Sequence, residues 1–269
     1  MTLYMYKQLW RPNFNVISCI HQLPGLSAPI QRFRRIIYAS FSDHLFGYSF
    51  AVVEEWNKIL ENNLILRILY RGRRMRILRN GVYLNRVHEN LKNETIKEIC
   101  FIGRITNWKG FDTFLKIARF ETLKDWNIKI AIPHIDSNME NELNLEFSGR
   151  IKILVGKTFS ELSIGSNSFL IYPVNYGVKG AIESVSINVL ECVSVGAKCL
   201  VTAGGCQTWP ELESSGRIVQ INWNESAESL ANQLITSSNN KVTSNLVHLR
   251  ELVDIKNNCM SIINTSNSI

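Results

Sequence analysis

Two patterns of apolar residues alternate along the chain. Short uninterrupted apolar runs are typical of buried strands, and apolar residues recurring every three or four positions are typical of helices with one buried face. From residue 80 onward these patterns predict strands at 97–102, 128–132, 151–155, 169–172, 198–202 and 217–221, and helices at 111–120, 187–195 and 227–235. Strands separated by helices indicate an α/β fold whose parallel sheet is covered on both faces.

Two smaller elements are predicted in the same region. A short helix should begin at Thr158, because Thr158-Phe-Ser-Glu161 matches the capping-box pattern. A final amphipathic helix is predicted by four apolar residues at helical spacing: Val242, Leu246, Leu249 and Val253.

The first part of the chain shows a shorter α/β alternation. It predicts a strand at 15–20, a helix from Ser27, a strand near 45–48, a helix at 50–60 and an apolar segment at 64–70. A turn is expected at Asn80-Gly81, the dipeptide best suited to positive φ. We place a domain boundary there, which divides the chain into 1–79 and 80–269.

The net charge of +7 favours an anionic partner. The excess is concentrated in two clusters, Arg32, Arg34 and Arg35, then Arg71, Arg73, Arg74 and Arg76. Interleaved with apolar residues, these clusters predict peripheral contact with an anionic membrane, and a solvated basic face is the alternative. No apolar run approaches the ~20 residues of a membrane span, and the N-terminus lacks the features of a secretory signal. We therefore expect a cytoplasmic protein.

Candidate ligand groups lie in the loops that leave the predicted strands, where ligands bind in such sheets. In the first loop Gly103-Arg104 ends a strand and Lys109-Gly110 begins the next helix. Two cations beside a helix N-terminus form an anion site, because the unpaired N–H groups and the helix dipole add to their charge. Solvated surface cations are the alternative.

A pair of glutamates frames the start of the helix at 187–195. Glu183 precedes it and Glu191 lies inside it. Carboxylates accept hydrogen bonds from sugar hydroxyls, so the pair is suited to a nucleotide sugar. A third loop, Ala203-Gly204-Gly205, would let the backbone approach a ligand closely, although a tight turn without a ligand explains it equally well.

In this order, the features resemble the retaining family 4 glycosyltransferases of GT-B fold. The resemblance covers about residues 79–235 and is weaker at 16–60. It implies a GT-B-type α/β protein with one complete Rossmann-like domain and a partial N-terminal Rossmann-like domain. The motifs that carry it are Asn80-Gly81-Val82, Gly103-Arg104, Lys109-Gly110, the Glu183/Glu191 pair, Gly196 and Ala203-Gly204-Gly205.

The resemblance also implies roles for individual residues. Arg104 and Lys109, after Gly103, would hold the diphosphate of a nucleotide-sugar donor and stabilise the leaving group. Glu183 would contact the donor sugar and Glu191 the ribose. The backbone around Ser186 and Ile187 would bind the distal phosphate. His21, after the first strand, would orient the acceptor or the transferred sugar.

No cofactor or metal ion is expected. The chain contains no D-x-D sequence, which the other large glycosyltransferase fold uses to chelate a metal, and no close pair of cysteines. The expected partners are the nucleotide-sugar donor and a lipid-linked or saccharide acceptor.

Three departures from the family pattern qualify the resemblance. The family has a glycine-rich loop after its first strand and about 100 further residues of acceptor domain, a length typical of a domain. Neither has a counterpart in this sequence. Between Pro173 and Glu183 lie nine residues, more than is usual in the family, and Ser186 replaces a glycine.

The hypothesis is a retaining hexosyl-type glycosyltransferase of surface polysaccharide or lipopolysaccharide biosynthesis.

Three other functions are alternatives to this hypothesis. One is a truncated, inactive subunit that binds a nucleotide sugar or a partner. Another is a nucleotide-sugar epimerase, which fits the paired cations and glutamates less well. A nucleic-acid binder is suggested by charge alone and lacks any recognised motif.

Overall fold

The computed structural model describes residues 17–20, 42–47, 50–69, 74–84, 97–175, 186–202, 209–222, 224–240, 242 and 245–258. These residues fall into two compact units. One holds the described residues up to Asn80 together with Asn258, and the other holds those between Gly81 and Asn257.

The first unit contains a small parallel sheet and two helices. The sheet has the order β1-β2-β3, and its strands are β1 (Ile17–Ile20), β2 (His44–Gly47) and β3 (Arg76–Ile77). The helices are α1 (Phe50–Asn62) and α2 (Leu64–Leu69). In α1, Val52, Trp56 and Leu60 recur every four residues and are buried, since this spacing places them on one helix face.

The second unit is built on a six-stranded sheet in which every pair of neighbours is parallel. Its order is β6-β5-β4-β7-β8-β9, so the chain winds outward from β4 in one direction and then returns to continue from β7 in the other. This is the doubly wound order of Rossmann-like domains, and it confirms the predicted parallel sheet. The strands are β4 (Glu98–Ile102), β5 (Asn127–Ile132), β6 (Ile151–Val155), β7 (Ser168–Tyr172), β8 (Lys198–Thr202) and β9 (Ile218–Ile221).

Helices cover both faces of this sheet, because alternate side chains of each strand point in opposite directions. Ile99 and Phe101 of β4 pack in one core with Phe114 and Leu234, and Cys100 packs in the other with Val189. The helices are α3 (Phe111–Ala118), α4 (Ser137–Glu146), α5 (Ile187–Ser194), α6 (Pro210–Ser214), α7 (Ala227–Asn239) and α8 (Leu246–Val253).

The apolar pattern missed two helices. No helix was predicted between β5 and β6, yet α4 lies there, and α6 was also missed. In α4 only Leu143 is buried, so no apolar stripe marks the helix. Its start is fixed instead by Asp136, whose carboxylate accepts a 2.9 Å hydrogen bond from the Asn138 N–H.

Two further predictions are corrected in extent. The element after Thr158 is a single 3₁₀ turn, Phe159–Glu161, although the Glu161 carboxylate does accept the Thr158 N–H at 2.9 Å. The last helix begins at Leu246, after Val242, because Asn245 caps it. Leu249 and Val253 are buried, as the amphipathic pattern predicted.

Several sequence predictions lie outside the described residues. They are the helix from Ser27, the basic residues Arg32, Arg34, Arg35, Arg71 and Arg73, the segment 176–185 with Glu183, His21, and Ala203-Gly204-Gly205. Among the residues that the structure describes, no helix has the length and apolar character needed to cross a membrane.

Candidate functional site

The carboxyl ends of β4 and β7 mark the point where the winding direction of the six-stranded sheet reverses. Loops that leave two neighbouring strands in opposite directions open a crevice between them, and ligands of doubly wound proteins bind in it. In this fold such a crevice is expected beyond Ile102, the last residue of β4, and Tyr172, the last residue of β7. The predicted donor-binding residues can be located relative to it.

Gly103, Arg104 and Lys109 lie in the loop that leaves β4. Arg104 is exposed, and Lys109 ends a 3₁₀ turn just before α3. The turn reverses at Gly110, whose φ is 73°, and a Cβ there would stand 2.2 Å from the carbonyl oxygen of Pro173. A glycine is therefore needed for the loop after β4 to lie against the segment after β7.

The Lys109 ammonium reaches the end of the neighbouring strand. Its Nζ donates a 2.8 Å hydrogen bond to the Tyr172 hydroxyl and lies 4.3 Å from the centre of the Trp108 ring. The backbone N–H of Asn175 in turn donates to the Trp108 carbonyl at 2.8 Å. The two loops are thus joined by side-chain and backbone contacts, with the cation between them.

The start of α5 is joined to the end of β4. Asn188, in the first turn, donates from Nδ2 to the Ile102 carbonyl at 3.1 Å. Ser186 is the N-cap residue, and its side chain makes no capping hydrogen bond. Because the first N–H groups of a helix have no partner within it, the backbone at Ser186 and Ile187 can bind an anion. The Ile187 side chain is 52% exposed.

Glu191 follows Asn188 by three residues, so both lie on the same side of α5. The carboxyl group is half-buried, and burial raises its pKa to about 7. A carboxyl group with this pKa changes between its protonated and ionised forms near neutral pH, and it accepts hydrogen bonds best when it is ionised.

Six of the eight predicted site residues thus lie in the loop after β4 or in α5 and its N-cap: Gly103, Arg104, Lys109, Ser186, Ile187 and Glu191. Glu183 and His21 lie outside the described residues. The sequence reasoning missed Tyr172, Trp108 and Asn188. A polar Asn188 inside the otherwise apolar run Ile187-Asn-Val-Leu190 was a signal for the last of these.

Two other polar features of the described residues are a depression on α7 and an ion pair at the start of β4. An open depression on α7 is lined by Val219 and by polar residues of that helix, and it includes none of the predicted site residues. At the opposite end of β4, Glu98 pairs with the buried Lys129 at 2.7 Å and accepts from Ser168 at 2.8 Å. No group of three His, Cys, Asp or Glu side chains within the described ranges is arranged to hold a metal ion.

No protein-family model and no curated protein matches this sequence. Among solved structures, Anabaena Alr3699/HepE in complex with UDP-glucose superposes on 99% of the chain and 75% of its own length, with a TM-score of 0.61 and 15% identity. Its complex with UDP gives a TM-score of 0.63 and 14% identity over the same shares.

Two further solved structures are similar. TarM matches over 96% of this chain and 51% of its own, with a TM-score of 0.61 and 12% identity. A glycosyltransferase from Rickettsia africae matches over 88% of this chain and 69% of its own, with a TM-score of 0.53 and 13% identity. At these identities the likeness shows the fold, which is the predicted α/β fold of GT-B type.

Proposed function

We propose that this chain is a glycosyltransferase that binds a nucleoside-diphosphate sugar in the crevice between the ends of β4 and β7. The observation that carries the proposal is the joining of the Lys109 ammonium to Tyr172 and of the α5 N-terminus to Ile102. These contacts gather a cation and a helix start at one switch point, which suits a diphosphate. Solved structures of this fold include complexes with UDP-glucose and with UDP, which favours such a ligand.

The chemistry follows from the charges. When the bond between the anomeric carbon and the diphosphate oxygen breaks, negative charge builds up on the diphosphate. Lys109 and Arg104 would stabilise this charge and so lower the barrier, which is electrostatic catalysis by fixed positive groups. The backbone N–H groups at Ser186 and Ile187 would bind the distal phosphate.

The two glutamates would bind the sugars of the donor. Glu191 would accept hydrogen bonds from the ribose hydroxyls, and Glu183 would contact the transferred hexose. The half-buried position of Glu191, on the same side of α5 as Asn188, supports this role. Its pKa of about 7 implies that ribose binding draws the carboxyl group toward its ionised form.

The remaining parts of the proposal concern the acceptor. Residues 80–269 would bind the donor and 1–79 the acceptor, with His21 orienting the acceptor or the sugar. The acceptor would be a lipid-linked or saccharide molecule of surface polysaccharide or lipopolysaccharide biosynthesis, and the transfer would proceed with retention. No metal ion or other cofactor would be required.

Peripheral contact with the inner face of the cytoplasmic membrane is part of the same proposal. Leu64 and Ile68 of α2 are 71% and 66% exposed, and the exposed Arg67 lies between them. Apolar side chains with neighbouring cations favour an anionic bilayer surface. Sedimentation with phosphatidylglycerol vesicles tests this contact: the doubly substituted Leu64→Asp, Ile68→Asp protein should bind less, and unchanged binding would refute it.

Calorimetric titration with UDP-, GDP- and ADP-sugars tests the donor site. We expect one of them to bind, and Lys109→Ala to weaken its binding about 10- to 100-fold, the value of a hydrogen bond to a charged group. Lys116→Ala, which removes an exposed lysine of α3, is the matched control and should bind as the parent does. If no donor binds, or if the two variants behave alike, the site is wrong.

Turnover separates the glycosyltransferase from its rivals. With a saccharide or lipid-linked acceptor present, proton NMR of the anomeric signal should show a product with the anomeric configuration of the donor. A product with the opposite anomeric configuration would contradict the proposed retention. Donor binding without transfer would favour an inactive binding subunit, and a changed sugar on intact nucleotide would favour an epimerase.

A further inference from the structure

Lys109 lies among aromatic groups at the end of β7. Its Nζ is 2.8 Å from the Tyr172 hydroxyl, 4.3 Å from the centre of the Trp108 ring and 5.1 Å from the centre of the Tyr172 ring. The two ring distances are within the range of cation–π attraction. These contacts hold the ammonium group against the end of β7.

The groups that hold the ammonium are themselves fixed. Tyr172 is the last residue of β7 and only 3% exposed, in the core that also contains Val189 and Leu190 of α5. Trp108 packs against the same core, and its carbonyl accepts the Asn175 N–H at 2.8 Å. The hydroxyl and the rings therefore belong to rigid parts of the fold, whereas the lysine stem is flexible.

We infer that Tyr172 is a positioning residue, which holds the Lys109 ammonium where the diphosphate of the donor meets it. The inference rests on the proposed donor site. A free lysine side chain samples many rotamers, and a fixed acceptor limits them before the ligand arrives, so that less conformational entropy is lost on binding.

A double-mutant cycle tests whether Tyr172 acts through Lys109. The probe is whichever of UDP, GDP and ADP binds the parent most tightly, measured by calorimetric titration. Tyr172→Phe removes the hydroxyl and keeps the buried ring, and we expect a dissociation constant about 3- to 10-fold higher, as for one lost hydrogen bond. In the Lys109→Ala background the same substitution should change nothing further.

Two measurements distinguish positioning from a structural effect. Tyr83→Phe changes an exposed tyrosine of the same unit and should bind the nucleotide as the parent does. The matching nucleoside lacks the diphosphate, so Tyr172→Phe should leave its dissociation constant unchanged. If Tyr172→Phe weakens nucleoside and nucleotide equally, or acts equally in both backgrounds, it acts through packing and the inference is overturned.

The remaining outcomes separate this inference from the proposed function. If Lys109→Ala weakens the nucleotide but Tyr172→Phe does not, the donor site stands and only the positioning role is wrong. If the parent binds none of the nucleotides, or Lys109→Ala has no effect, the donor site is wrong and the inference fails with it.

Discussion

The Asn188 side chain joins α5 to β4 through a 3.1 Å hydrogen bond from Nδ2 to the Ile102 carbonyl. The two residues are 86 positions apart in the chain, and the bond crosses the point where the winding of the sheet reverses. It sets the position of the α5 N-terminus relative to the loop that carries Arg104 and Lys109. The proposed donor site would thus depend on a contact that does not itself touch the ligand.

Replacing Asn188 by alanine should remove the hydrogen bond that holds the start of α5 against the end of β4. We expect the free energy of unfolding to fall by about 1 kcal/mol, the net value of one partly buried hydrogen bond, and donor binding to weaken several-fold as the start of α5 shifts. Chemical denaturation and calorimetric titration measure the two effects. Asn138→Ala is the control, since the Asn138 side chain is exposed on α4; equal losses in both variants would contradict this role.

Glu191 should make the stability depend on pH. Burial raises its pKa from 4.5 to about 7, so between these values the folded protein binds a proton that the unfolded chain releases. The free energy of unfolding should therefore fall as the pH rises from about 4.5 to 7 and show no further loss from this group above that. Glu191→Gln should lack this part of the pH dependence, as measured by denaturation at several pH values. Parallel profiles for the two proteins would show that the carboxyl group titrates normally.

Donor binding should show the opposite pH dependence. If Glu191 accepts ribose hydroxyls as a carboxylate, affinity for the nucleotide sugar should rise as the pH passes through about 7. The phosphates of a nucleotide sugar keep their charge in this range, so they do not obscure the effect. Titrations at pH 6 and 8 should differ for the parent and agree for Glu191→Gln.

Gly110 should tolerate no side chain. Gly110→Ala would combine a φ of 73° with an overlap against the Pro173 carbonyl at 2.2 Å, and should cost about 2–5 kcal/mol of stability. Gly149 has a φ of 80° with nothing within 4 Å, so Gly149→Ala should cost only about 1–2 kcal/mol. Denaturation midpoints of the two variants give the difference, and a similar loss in both would mean that the close approach of the loops does not matter.

The pair of Glu98 and Lys129 should couple strongly. Lys129 is 6% exposed and lies 2.7 Å from the carboxylate, so Lys129→Met leaves a largely buried charge without this partner and should cost about 3 kcal/mol. Adding Glu98→Gln should recover part of the loss, because both charges are then absent. Additive losses in the denaturation experiment would mean that the two groups do not interact.

The fold class could be predicted because its signal is local. Apolar runs such as the one at 169–172, and periodic segments such as 111–120, indicate strands and helices from neighbouring residues alone. The parallel arrangement was indicated because strands that alternate with helices are typical of a parallel sheet. Helix α4 was missed for the same reason: only its Leu143 is buried, so a local apolar pattern cannot reveal it.

The candidate site could be predicted only in part. Arg104, Lys109 and Glu191 have recognisable spacing from strand ends and helix starts. Tyr172 was assigned only to a strand, because its role depends on a lysine 63 positions away. The raised pKa of Glu191 likewise depends on burial, which a single segment does not reveal.

The amino-acid sequence by itself determined most of the succession of strands and helices, the α/β class and the loops in which charged residues lie, since these depend on interactions between near neighbours. Only the tertiary structure decided that β4 and β7 are adjacent, that Lys109 meets Tyr172 and that Asn188 meets Ile102. Such contacts join segments many residues apart, and they form only when burial of the two cores brings the strands into one sheet.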